Sequence, residues 1–129
     1  MIPDFTGTMI SRVELDYMVR IWTSSGGQFD LEGDVLVTHR GPAPVHVDKR
    51  QSVETPPKVL GDLLGQEVTG VLLSPANDLA INLVDAQVSC RVNLNIESWT
   101  IHGPRREMVV CMPGGELSVW SSPFDLDES

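Results

Sequence analysis

The run LAINLVDAQVSCRVNLNI, residues 79–96, decides the fold class. In its second part Val88, Cys90, Val92, Leu94 and Ile96 alternate with Ser89, Arg91, Asn93 and Asn95. Successive side chains of a strand point to opposite faces, so alternation of this length marks a half-buried strand; a helix would scatter the same residues around its circumference. Leu79, Ile81 and Leu83 alternate likewise, and Asp85-Ala86 separates the two runs. Pairing Leu83 with Val88 then sets Ile81 opposite Cys90 and Leu79 opposite Val92, apolar on apolar throughout, with Arg91 on the far face.

The same period extends outward along the chain. VELDYMVRI (13–21) reads as one strand, with Val13, Leu15, Tyr17, Val19 and Ile21 on its apolar side and Glu14, Asp16, Met18 and Arg20 opposite. Further strands are expected at 29–31, 35–39, 44–47, 69–74, 98–102, 108–112 and 116–120, with turn signals SSGG, GPAP, SPAND, HGPRR and MPGG between most of them. TPPKVLGDLLGQ breaks the pattern. Val59, Leu60, Leu63 and Leu64 form one helical stripe, Thr55 is a candidate N-cap and Gly65 a stop, which predicts a short helix over 56–64.

VTHRGP (37–42) closes one run of strands and TIHGPR (100–105) closes another, each preceded by a strand, a turn and a second strand. This suggests two copies of one β unit with the helix between them, although Gly-Pro turns also recur without ancestry. At 129 residues the chain is expected to be a single domain, burying roughly two-thirds of its unfolded surface. It divides into a β unit at 10–48, the helix, a β unit at 67–120 and an acidic tail at 121–129.

MPGGELSVW (112–120) invites a phosphate-loop reading, but Glu116 follows the glycines and the residues after it alternate as a strand. A phosphate loop needs Gly-rich backbone opening a helix, with Lys and Ser or Thr at fixed spacing. Pro113-Gly114-Gly115 is therefore a hairpin turn.

The net charge of −9 repels nucleic-acid phosphates and anionic lipid and favours a basic protein partner. No apolar run approaches the ~20 residues of a membrane span. MIPDFTGTMI lacks the features of a secretory signal, so a cytoplasmic address is expected. Cys90 and Cys111 have no ligand spacing and read as buried reduced thiols.

Three groups of residues are candidates for function. His39 and His102, with His46, Arg40, Arg105 and Arg106, offer general acid–base chemistry on a phosphodiester, because imidazole exchanges protons near neutral pH. The plainer reading makes His39 and His102 strand-end residues beside turns; whether they meet in one cleft decides between the two. Arg105 and Arg106, at the tip of a hairpin, suit an acidic partner or an anion. Trp99 is expected in the core, whereas Trp22 and Trp120 share partly polar faces, the placement of a second packing layer or an interface.

From residue 59 to 120 the chain resembles a family of short bacterial domains of unknown function. The resemblance lies in the helix-ending Gly65, the Glu97-x-Trp99 step and the closing Pro113-Gly114-Gly115 hairpin that runs to Trp120. Where that family's hairpin has Asp-Gly, this chain has Asp85-Ala86. Some such domains look like immunity proteins encoded beside secreted toxins, and the resemblance supplies no catalytic residues.

The expected fold is mainly β, bordering on α+β: an antiparallel two-layer sandwich or a rolled barrel with one short helix. The expected function is a non-enzymatic, immunity-like protein-binding module with a basic partner, and a homodimer is a further expectation. The alternatives are a His-dependent hydrolase or nuclease-like enzyme and a small-ligand-binding β domain using Trp22 or Trp120. No cofactor or metal is implied, and nucleic acid and membrane are not expected partners.

Overall fold

The computed structural model describes residues 2–40 and 43–120; the acidic tail and the Gly41-Pro42 part of the first Gly-Pro turn lie outside the described residues. The first half of the chain supplies β1 (Ile10–Asp16), β2 (Val19–Thr23), β3 (Gln28–Leu31), β4 (Val35–His39), β5 (Val45–His46) and β6 (Ser52–Val53). Helix α1 (Lys58–Gly61) follows, then β7 (Val68–Leu73), β8 (Leu79–Leu83), β9 (Ala86–Cys90), β10 (Trp99–His102), β11 (Met108–Cys111) and β12 (Leu117–Trp120). They form a seven-stranded antiparallel sheet in the order β12-β11-β10-β3-β2-β1-β6 and a five-stranded one in the order β5-β4-β9-β8-β7. Both sheets have open ends, so the fold is two sheets and not a rolled barrel.

One hydrophobic cluster draws on the inward residues of both sheets. Leu15, Ile21, Phe29, Leu31, Trp99 and Ile101 come from the larger, and Val35, Val37, Ile81, Val88 and Cys90 from the smaller. Trp99 is fully buried, as its alternation with Ile101 predicts, and its indole N–H donates to the Asn77 carbonyl at 2.9 Å. Burial of one such side chain contributes roughly 1.5–3 kcal/mol, and the hydrogen bond removes the penalty its N–H would otherwise carry.

The strand pairings of the two halves repeat one pattern, which is plainer in the register than in the letters. In β1–β2, Val13 pairs with Ile21 and Leu15 with Val19; in β7–β8, Val71 pairs with Ile81 and Leu73 with Leu79. Both hairpins break register at the same place, between Ile10 and Arg12 and between Val68 and Gly70. Each half then sends its next hairpin into the other sheet. Val35 of β4 pairs with Cys90 of β9, and Trp99 of β10 pairs with Leu31 of β3. The crossings touch: the Glu32 amide donates to the Ser98 carbonyl at 2.9 Å and the Arg91 amide to the Asp34 carbonyl at 3.1 Å. Met9 and Glu67, one residue before Ile10 and Val68 respectively, form an antiparallel bridge. The His-Gly-Pro match of the sequence is one residue out of step, because pairing equates Val37 with Ile101 and thus Thr38, not His39, with His102.

Several expectations are corrected. The strand expected over 13–21 is the β1–β2 hairpin, turning at Tyr17, whose φ is 57°. Leu15 and Val19 pair across that turn and are four residues apart, so the alternation runs through it unbroken. The strand expected over 88–96 ends at Cys90, and Leu94 is 79% exposed. Asn93 accepts from the Asn95 amide at 2.8 Å, Asp78 from the Val92 amide at 2.7 Å and the Ser98 hydroxyl from the Asn93 amide at 2.6 Å. Short polar side chains thus capture backbone that would otherwise extend the ladder.

The hairpin pairs Ile81 with Val88, not Cys90, because its loop is Val84-Asp85; the two-residue shift leaves every side chain on its expected face. Arg91 lies beyond the strand end. The helix is shorter than 56–64, with Pro57 and not Thr55 at its N-cap and no side-chain cap. Leu60 and Leu63 are buried while Leu64 is exposed, and Gly65 ends the turn at φ 80°. Gly114 at φ 86° and Gly115 at φ 103° make Pro113-Gly114-Gly115 the turn expected of it.

Candidate functional site: the outer face of the seven-stranded sheet

Cross-strand pairing lines up outward side chains in rows. One row runs Arg12, Trp22, Gln28, His102, Met108, Trp120, directly paired from β1 to β12. The next runs Glu14, Arg20, Asp30, Thr100, Val110, Ser118, of which Val110 is buried. Trp22, His102 and Trp120, which lie far apart in the sequence, therefore share one row.

The rows are tied by charge. Arg20 donates to Glu14 at 3.0 Å and lies 3.9 Å from Asp30, and His102 Nε2 lies 3.0 Å from Asp30. Gln28 donates to the other Asp30 oxygen at 2.7 Å. The Arg12 guanidinium stands 4.8 Å over the Trp22 ring and 3.1 Å from Glu14. Trp120 lies on the end strand and is 47% exposed. Immediately after His102 the β10–β11 turn carries Arg105 and Arg106, both exposed, at the same end of the sheet. Beside β1, a cleft of about 440 Å³ is lined by Arg12, Glu14 and Asp16 on one wall and by Ser52, Glu54 and Pro56 on the other.

The histidines do not converge. His39 ends β4 of the smaller sheet, where Nε2 lies 3.2 Å from the Val59 carbonyl and ties that sheet to α1. His46 is opposite Leu36 on the outer side of the smaller sheet. Only His102 belongs to the rows. Arg12, Gln28, Asp30 and Met108 join the site without having been singled out in the sequence; each is on the outward side of a strand, but only the pairing register brings them together. Among the described residues, no group of three or more His, Cys, Asp or Glu side chains is placed to hold a metal ion. No helix there is long and apolar enough to cross a membrane. Cys90 and Cys111 are free and buried on different sheets, and burial pushes the Cys90 thiol up to about 12.

No curated protein and no solved structure matches the chain. A model of a family of unknown function, DUF6188, matches residues 1–121, a span that takes in both β units where the sequence resemblance began at 59, and the chain belongs to that family.

Proposed function

We propose that this protein is a protein-binding module acting by contact, with the outer face of the seven-stranded sheet as its contact surface and a basic protein as its partner. The row Arg12, Trp22, Gln28, His102, Met108, Trp120 carries the reading. Trp, Met and Arg are the residue types enriched at interfaces, and two tryptophans flank a polar centre. The net charge of −9 would steer a basic partner through the field of the whole chain, since Arg12 and Arg20 on the face itself are paired with Glu14 and Asp30; that field would act chiefly on association rate, while the tryptophans would govern dissociation. An immunity-like role, in which binding silences a basic toxin, fits this division. The His102–Asp30 pair favours a second reading, since a carboxylate beside an imidazole is the arrangement of a general base. That carboxylate is already engaged by Gln28 and Arg20, so the contact reading is preferred.

The test is capture from the native host's lysate with wild type, Trp22→Ala, Trp120→Ala and Gln87→Glu, the last on the opposite sheet. The expected result is one basic protein retained by wild type and Gln87→Glu and released about ten-fold faster by a Trp variant, the scale of a hot-spot loss above 1 kcal/mol. Equal retention by all four would overturn the surface assignment. Turnover of a substrate abolished by His102→Ala would establish the second reading instead.

A further inference from the structure

The two halves differ at one edge. In the first, β1 is covered at Leu15 and Asp16 by the short strand β6. In the second, its counterpart β7 ends the five-stranded sheet; Val68 exchanges hydrogen bonds with the Gly7 amide and the Thr8 carbonyl, and residues 69–73 have no strand beside them among the described residues. At six residues β7 is the longest of the end strands; β12 has four, β5 and β6 two each. Its open part, residues 69–73, spans roughly 16 Å at 3.3 Å per residue. Its sequence, VTGVLL, contains no charge and no proline, two of the usual protections of an exposed edge; a third, the register break, is confined to its start between Val68 and Gly70. Leu72 is 59% exposed, and Val71 and Leu73 reach the core but remain half-buried.

We infer that β7 pairs with β7 of a second copy of this chain, antiparallel about a two-fold axis at Val71, joining two five-stranded sheets into one of ten. Charge selects the occupant. Two copies of charge −9 repel each other overall, so they can pair only where no ionised group adds a local like-charge contact. Beside β7, the outward row Leu72, Ala80, Ser89, Leu36, His46 carries no carboxylate, lysine or arginine. A basic partner gains nothing from such a strip. Shape agrees. With Val71 opposite Val71, each Leu72 lies opposite Gly70 of the other copy, a bulky side chain over a position with none, twice by symmetry. A groove of about 290 Å³ beside the edge is walled by Ile2, Pro3 and Phe5 against Gly70, Val71 and Leu72; Asp4 is the one carboxylate along it. An edge this short buries less than a standard interface, so the dimer is weak and concentration-dependent.

Sedimentation of the full chain from about 1 μM to about 1 mM, the weak end of specific association, tests this. The expected result is a monomer–dimer equilibrium whose dissociation constant rises at least ten-fold in Leu72→Glu, with an unchanged melting temperature confirming that the variant folds. Val71→Cys reads the register independently. Opposed thiols on the axis oxidise to a covalent dimer, whereas Leu72→Cys, facing Gly70, does not; the native cysteines are buried and free in both. A monomer at every concentration, a dimer indifferent to Leu72→Glu, or equal crosslinking at 71 and 72 would overturn the proposal. A dimer lost in Trp120→Ala but kept in Leu72→Glu would assign self-association to the other sheet.

Discussion

The two halves of this chain repeat a strand-pairing pattern and differ in what they show to solvent. Inward, Val13, Leu15, Val19 and Ile21 of the first half correspond to Val71, Leu73, Leu79 and Ile81 of the second. Outward, Arg12, Glu14, Arg20, Trp22 and Asp30 correspond to Gly70, Leu72, Ala80, Asn82 and Ser89. The pairing register follows from the buried set alone, since a one-residue slip would turn every apolar side chain to solvent. The exposed set was therefore free to diverge into a charged, tryptophan-bearing face on one sheet and an uncharged one on the other. Function is read from that divergence and not from the fold.

Changes at the crossing should be the most damaging, because both halves depend on it. A Cβ at Gly33 would collide with the Arg91 carbonyl and come within 3.1 Å of Cys90 Sγ. Gly33→Val should cost about 3 kcal/mol or more, the scale of a buried clash with backbone, read as a lowered urea midpoint. Glu97→Ala, at the equivalent but exposed position of the reciprocal crossing, should cost far less; equal losses would show that the close contact at Gly33 is not what makes its crossing sensitive. The β11–β12 turn comes next, where the second half extends beyond the first. Gly114→Val should cost about 1–3 kcal/mol, since its φ is positive while its surroundings are open. Gly115→Val should cost more, because its Cβ would also stand 2.9 Å from the Ala76 carbonyl. The reverse order in chemical denaturation would show that backbone conformation, not the contact with Ala76, governs this turn.

The outward faces can be exchanged at equivalent positions. Arg20→Ala removes the hub of the charged face and should cost about 0.5–1 kcal/mol, less at high salt, as expected of partly exposed ion pairs. Ala80→Arg should change stability less, and a loss as large as that of Arg20→Ala would contradict the independence of the outward set. Smallest at neutral pH is the contribution of the thiols. The folded state holds Cys90 neutral with its ionisation raised to about 12 from an ordinary value of 9.0, so the stability tied to it is complete below 9.0 and is lost as pH rises toward 12. Alkylation followed by mass spectrometry at pH 8 should leave both cysteines unmodified in the native protein and modify both once it is unfolded.

Alternation revealed the mainly β character, the faces of most strands and the core position of Trp99, because burial on one side leaves a period of two in the letters. Hairpins were legible only where the turn interrupted that period. The turn at Tyr17 preserved it and carried no glycine, proline or asparagine, so two strands read as one. Residues 91–96 failed in the opposite sense: they alternate, but asparagine and aspartate side chains hold their amides, a competition that apolar patterning does not register. Of the site, Trp22, Trp120 and His102 stood out as residue types. That they form one row depends on β10 pairing with β3, a contact between distant parts of the chain that no local pattern encodes.

The exchange of hairpins also has a consequence for birth on the ribosome. β4 and β5 emerge early, yet β4 needs β9, and β3 needs β10, before either sheet is whole. The first half must wait with Phe29, Leu31, Val35 and Val37 uncovered until most of the second has been made. Chains whose contacts span such separations fold slowly and are vulnerable to aggregation while they wait. An arrest of translation between the halves would therefore release a fragment with an apolar surface and no partner for it, a natural substrate for chaperones.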